Sequence, residues 1–283
     1  MDYIKKILSV VFFPVVFLAG SFCIQYIFVA IFNSNNLIKF RELYPDMNDM
    51  DIIRTADYKL SLSNYLNSKA LLIVVITFII FLLFFIKALK KMNISNIKNR
   101  INNQDYINIF ILGLFISIFF NTFIYTLNSV VHITDAYKIS SIPFIITLLS
   151  SGILGPILEE LLFRGIIYNK LLTFNSHKKA CIITSIMFSL IHFPNVITMI
   201  YTFILSFIMI YLYDRYKSLH APIIFHIAIN TTINVLIYSL VKDNIVFNTL
   251  LLLISIFGII SVLKLINCNS NNSHFIEMKK SLT

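Results

Sequence analysis

The chain has 283 residues, 58% of them hydrophobic and only 13% charged, with a formal net charge of +10 and a mean hydropathy of +0.84. A soluble domain carries about 25% charged residues, so this composition excludes one and predicts an all-α, polytopic integral membrane helix bundle. Most of the basic residues lie in short loops between apolar runs, which the positive-inside rule explains without a nucleic-acid partner.

Eight transmembrane helices are predicted, at 7–32, 70–88, 107–127, 142–172, 180–193, 196–213, 222–240 and 245–266. Lys5 and Lys6 precede the first. Its run to Phe32 is too long for a cleaved signal peptide and reads as an uncleaved span. The 33–69 segment, with both charge signs in balance, is expected to be an extracytoplasmic loop and a place for partner binding. Basic residues then alternate with neutral connections. Lys5/Lys6, the 87–100 loop, His177-Lys178-Lys179, Arg215/Lys217 and Lys279/Lys280 fall on one side. The 128–141 loop, Phe193-Pro194-Asn195 and Lys242-Asp243-Asn244 fall on the other. This pattern places a multi-pass protein in the cell membrane with both termini cytoplasmic.

The fourth span is longer than a bilayer needs, about 46 Å at 1.5 Å per residue. Gly152, Gly155 and Pro156 lie in its middle, so a kink or helix restart is expected just before Glu159, with free N–H groups near the carboxylates. The fifth span is short and is expected to reach only partway across. No internal repeat is evident, and the Asn267–Ser273 tract reads as a disordered tail. Cys23, Cys181 and Cys268 have no ligand or disulfide spacing and read as packing residues.

Charged residues inside spans identify where function resides. An ionised side chain at mid-bilayer depth costs roughly 2.5–3.5 kcal/mol on insertion scales, yet the fourth span holds Glu159, Glu160 and Arg164 within six residues. The fifth span adds His192, and the seventh adds His226 and Asn230, with Asn234 a turn further on. The remaining histidines, His132, His177, His220 and His274, lie near loops and read as interfacial or solvated.

Glu160 and Arg164 are i,i+4 on one face and form a favourable pair, whereas Glu159 points about 100° away. His226 and Asn230 share a face by the same spacing. Counted from the cytoplasmic flanks, Glu159 and His192 lie at a similar depth of about 20 Å, while His226 comes out at about 9 Å. Each residue also has a structural reading: His192 and Asn230 as interhelical hydrogen bonds, Glu160–Arg164 as a clamp.

A carboxylate and an imidazole in one desolvated cavity can hold and activate a water, and a second imidazole and a carboxamide can stabilise the resulting oxyanion. In that scheme Glu159 is the base and His192 its partner in holding the water. His226 and Asn230 form the oxyanion hole, and Glu160 with Arg164 orients Glu159 or binds the substrate. The reaction is peptide-bond hydrolysis within the membrane. A divalent metal held by Glu159, His192 and His226 is an equal reading, since spacing cannot choose between the two.

The motifs Glu159-Glu160-x-x-x-Arg164, Phe188-x-x-x-His192 and His226-x-x-x-Asn230 resemble those of the CPBP family, the CAAX prenyl endopeptidases and bacteriocin-processing (Abi) intramembrane proteases. They match in order and on separate helices, over roughly residues 140–240. The resemblance implies a catalytic core there, between a three-span region at 1–139 and a last span and cytoplasmic tail at 241–283. It also implies an endopeptidase with a glutamate-activated water, acting on a membrane-embedded or membrane-associated peptide or protein in the lipid bilayer. The family has been described as metal-dependent (metalloprotease), so the cofactor stands between a metal such as zinc and none. Bacterial relatives imply peptide pheromone or bacteriocin maturation, or self-immunity. The competing class is a non-catalytic immunity or scaffold protein that keeps the motif as a structural network. An ion-coupled transporter, in which buried Glu and His form a proton relay, is a third reading.

Overall fold

A computed structural model describes the backbone of residues 2–94, 101–131, 142–239 and 245–280, with side chains over 3–94, 101–127, 142–235 and 247–266. Every regular element among these is a helix: α1 (Asp2–Leu43), α2 (Asp49–Ile52), α3 (Ala56–Lys91), α4 (Asn103–Val131), α5 (Phe144–Leu172), α6 (His177–Leu190), α7 (Val196–Tyr216), α8 (His220–Ser239) and α9 (Ile245–Lys280). Six described helices, α1, α3, α4, α5, α7 and α9, are long and apolar enough to cross a membrane by length and composition. The chain is a multi-pass helical membrane bundle. Its outward residues fit that setting: Phe22, Tyr26 and Phe257 are 69%, 71% and 74% exposed, an arrangement that lipid rewards and water would not.

The predicted fifth span is the 14-residue α6, about 21 Å long and short of a 30 Å hydrocarbon core. The seventh corresponds to the 20-residue α8. α4 runs on through 128–131, and the rest of the predicted 128–141 connection, residues 242–244, Lys98, Arg100, and the side chains of His132, Cys268, His274, Lys279 and Lys280 lie outside the described residues. The backbone stays helical through 267–273, where composition predicts a disordered tail.

The 33–69 segment is not a loop. α1 and α3 run on as helices of 42 and 36 residues, about 63 and 54 Å, well beyond the hydrocarbon core. The short α2 closes their tip. The N-caps supply turn chemistry: Asn48 accepts from the Asp51 N–H and Thr55 from the Tyr58 N–H. Phe32, Phe40, Ile52 and Tyr58 form a small core of their own. Arg41 grips Asp49 with two hydrogen bonds of 2.7 and 2.6 Å, which hold the Asp49 carboxyl below its ordinary range. Tyr58 donates to Asn33 and Tyr44 to Asp57. Hydropathy misses this extension because its apolar residues recur at helical spacing among charges, as at Tyr58, Leu62 and Tyr65, and form no continuous run.

The basic flanks gather at one end of the bundle. Lys170 donates to the Ser9 carbonyl at 3.2 Å and lies over the Phe13 ring. Arg215 donates to the Ile266 carbonyl at 2.8 Å. His177 and Tyr168 both meet Asp214, at 2.8 and 2.7 Å, tying α5, α6 and α7 together. His177 remains largely exposed, as its loop position predicts. Cys23 is exposed and Cys181 buried, and both are free thiols.

α5 is the central helix. All eight residues of Leu161–Tyr168 are buried, because α1, α3, α6 and α8 each pack against this stretch or the turns before it. The helix does not restart at Pro156. It stays helical throughout, and Leu148–Leu154 and Leu161–Tyr168 widen into π-helix. The Gly155 N–H bonds the Ser150 carbonyl five residues back, so the register shift that Pro156 demands is absorbed as a π-bulge. No free N–H groups are presented beside the carboxylates by a new helix start.

α4 and α8 meet closely at Gly113, where a Cβ would lie 2.7 Å from Ala228 Cβ and 2.8 Å from the Phe225 carbonyl. Because one obstacle is backbone, Gly113→Val is expected to lower stability by about 1–3 kcal/mol through overpacking. Thermal unfolding in detergent checks this, and an unchanged midpoint would refute the close approach.

Candidate active site

Arg164 and Glu160 form the predicted pair, with Nη1 2.8 Å from Oε1 and both side chains fully buried. The arginine has two further anchors. Its Nη2 donates to Ser206 Oγ at 2.9 Å and to the Ser206 carbonyl at 3.3 Å. Its guanidinium lies 4.6 Å from the centre of the Phe188 ring. α7 and α6 thus both hold a charge that originates on α5.

The pair is not only a clamp. Glu160 Oε1 also lies 2.8 Å from His226 Nδ1. A carboxylate paired with arginine can only accept, so Nδ1 carries the proton and donates. That places Nε2 on the opposite side of the ring, 3.8 Å from Glu159 Oε2. The two adjacent glutamates therefore face the two nitrogens of one imidazole. Glu160 is sealed, whereas the Glu159 side chain is 19% exposed. Glu159 Oε2 is buried without a hydrogen-bond partner among the described residues.

The depth mismatch expected for His226 disappears because the α7–α8 connection folds inward. Lys217 adopts a left-handed conformation (φ 47°, ψ 40°) that ends α7. Ser218 and Leu219 are then fully buried, and Leu219 Cδ1 would lie 3.4 Å from a Cβ on Gly165. α8 thus starts beside Gly165 of α5, five residues along the chain from Glu160, and brings His226 Nδ1 to 2.8 Å from Glu160 Oε1.

His192 sits in the turn after α6. Its Nδ1 donates to the Phe188 carbonyl at 2.9 Å, leaving Nε2 as the acceptor of the neutral ring. Its ring packs 5.2 Å from Phe188, which in turn packs 5.7 Å from His226. Among the described residues no hydrogen bond or ion pair joins His192 to Glu159. Asn230 donates from Nδ2 to the Ser151 carbonyl at 2.9 Å, and Asn234 donates to Ser151 Oγ at 3.1 Å. Asn230 thus braces the π-helical turn of α5 with one amide hydrogen and keeps a second.

Among the described residues no group of three His, Cys, Asp or Glu side chains is placed to hold a metal ion. His226 and His192 each commit Nδ1, to Glu160 and to the Phe188 carbonyl, and each keeps Nε2. As placed, Glu159, His192 and His226 do not form a three-ligand group. Ser206 and Ser151 escape sequence reasoning, because a serine in an apolar helix carries no signal of its own.

The fold and these buried charges define a polytopic membrane protein with a polar centre built from four helices. Residues 141–232 match the family model described as Type II CAAX prenyl endopeptidase Rce1-like. Over 93 residues the chain is 36% identical to a Bacillus subtilis (strain 168) protein named "Putative membrane peptidase YdiL", covering 33% of this chain and 37% of that protein. The chain therefore matches a little over a third of that relative's length. No solved structure matches significantly. The two findings support the CPBP (CAAX protease) family for the 141–232 segment, which contains every residue of the site.

Proposed function

We propose that the protein is an intramembrane endopeptidase that hydrolyses a peptide bond in a membrane-associated peptide or protein, with Glu159 as the general base. The observation that carries this reading is His226 bridging Glu160 at 2.8 Å and Glu159 at 3.8 Å, inside the segment that matches the protease family. Two carboxylates and one guanidinium leave one net negative charge. A proton on His226 Nε2 makes the set neutral, and Glu160 supports that imidazolium through Nδ1.

In this state Glu159 is an ionised base and His226 Nε2–H a donor on the same side. A water positioned by Glu159 and His192 loses a proton to Glu159 as its oxygen bonds to the scissile carbonyl carbon. The oxyanion takes hydrogen bonds from His226 Nε2–H and from the second amide hydrogen of Asn230. Collapse breaks the C–N bond, and Glu159 returns its proton to the leaving amine.

The test is cleavage of quenched fluorescent peptides carrying one apolar segment by purified protein in liposomes. His192→Ala is expected to lower kcat by on the order of 10²-fold with little effect on stability, since its role is to place the water and its ring stays partly exposed. Wild-type rates in that variant would remove His192 from the mechanism. No cleavage by the wild-type protein would leave a non-catalytic membrane partner as the better reading.

A further inference from the structure

α7 contributes nothing to the motifs, yet one of its side chains reaches the centre of the site. Ser206 is fully buried, and its Oγ and carbonyl oxygen are the only α7 groups on Arg164 among the described residues, at 2.9 and 3.3 Å from Nη2. A guanidinium is a rigid planar fork. With Nη2 fixed on α7 and the plane held against Phe188, Nη1 has one direction left, and it points at Glu160 Oε1. Among the described residues Glu160 Oε2 has no hydrogen-bond partner, and Arg164 and His226 are the groups that set how this carboxylate lies. The links Ser206–Arg164–Glu160–His226 are continuous and buried, and the last fixes which imidazole nitrogen faces Glu159.

We propose that Ser206 is a positioning residue: its hydroxyl sets the Arg164 guanidinium so that Glu160 Oε1 holds His226 by Nδ1–H and turns Nε2 to Glu159. The effect on rate rests on the endopeptidase reading above. The effect on the imidazole does not, and this separates the two in experiment.

Three variants of the full chain in liposomes test it: Ser206→Ala, Ser206→Val and Ser206→Thr. Thr and Val have nearly the same shape and differ by the hydroxyl, so overpacking cancels between them. One readout is kcat and KM on the quenched peptide that the wild type cleaves fastest. The other is the Nδ1–H resonance of His226 in ¹⁵N-histidine-labelled protein, assigned by its loss in His226→Asn. Ala and Val are expected to lower kcat about tenfold with KM within about twofold, the size of one charge-assisted hydrogen bond, while Thr stays within about twofold of wild type. The His226 Nδ1–H signal is expected in wild type and Thr, and broadened or lost in Ala and Val. Ala decides against Thr if Val does not fold. An unchanged His226 signal in the folded variants lacking the hydroxyl overturns the proposal, whatever happens to activity. If the wild type cleaves no peptide, the endopeptidase reading fails, and the His226 signal still decides the role of Ser206.

Discussion

Glu159→Gln is expected to lower kcat by about 10²–10⁴-fold, the range set by loss of a general base, while the protein stays folded. Gln keeps the shape of the side chain and removes its negative charge and its capacity to take a proton. Little structural cost follows, because Glu159 holds no helix in place. Among the described residues its one ion-pair contact is His226 Nε2 at 3.8 Å, and its Oε2 accepts no hydrogen bond. Initial rates in liposomes together with thermal unfolding check both halves. Activity near wild type in Glu159→Gln would eliminate Glu159 as the base. Glu160→Gln provides the contrast. That carboxylate is fully buried and shared by Arg164 and His226, so its loss is expected to lower stability as well as rate.

Arg164→Met is expected to destabilise the fold by about 3–5 kcal/mol, the cost of leaving one partner of a buried ion pair uncompensated. The orphaned group is Glu160, fully buried and left with His226 alone. The double variant Glu160→Met/Arg164→Met separates charge from packing. With no orphaned charge it is expected to recover much of the stability, since buried pairs replaced by apolar residues of similar size are often tolerated. Cleavage should remain lost, because His226 then has no acceptor for Nδ1–H. Unfolding midpoints of the single and double variants test this, and a single variant as stable as wild type would refute the buried pair.

Local helical geometry made part of the site legible in advance. Glu160 and Arg164 pair at i,i+4 as their spacing requires. Glu159 and Glu160 do diverge, one partly exposed and the other sealed. The role left to Glu160 was incomplete, because its second partner comes from α8, 66 residues away. Spacing on one helix carries no information about which side chain of another helix will meet it. The depth of His226 was misplaced for a related reason. Counting residues assumes that every helix starts at the same level, whereas Leu219, just before α8, packs beside Gly165 of α5.

Two backbone features follow the same division. Pro156 marks an irregularity in α5, but whether the chain breaks or widens depends on what surrounds it. Here Asn230 takes up the Ser151 carbonyl, and close packing keeps the helix continuous as a π-bulge. The 33–69 extension reads as a polar loop on hydropathy alone, and the aromatic packing of Phe32, Phe40 and Tyr58 makes it a helical hairpin.

By itself the sequence determined the all-α membrane class and which of the buried polar residues share a face within a helix. It could do so because apolar run length and the 3.6-residue period are local properties of the chain. Only the tertiary structure decided that His226 stands between the two glutamates, that Ser206 anchors Arg164 and that α5 bulges without breaking. Those outcomes depend on the tilt, rotation and depth of helices against one another, which packing between distant segments sets.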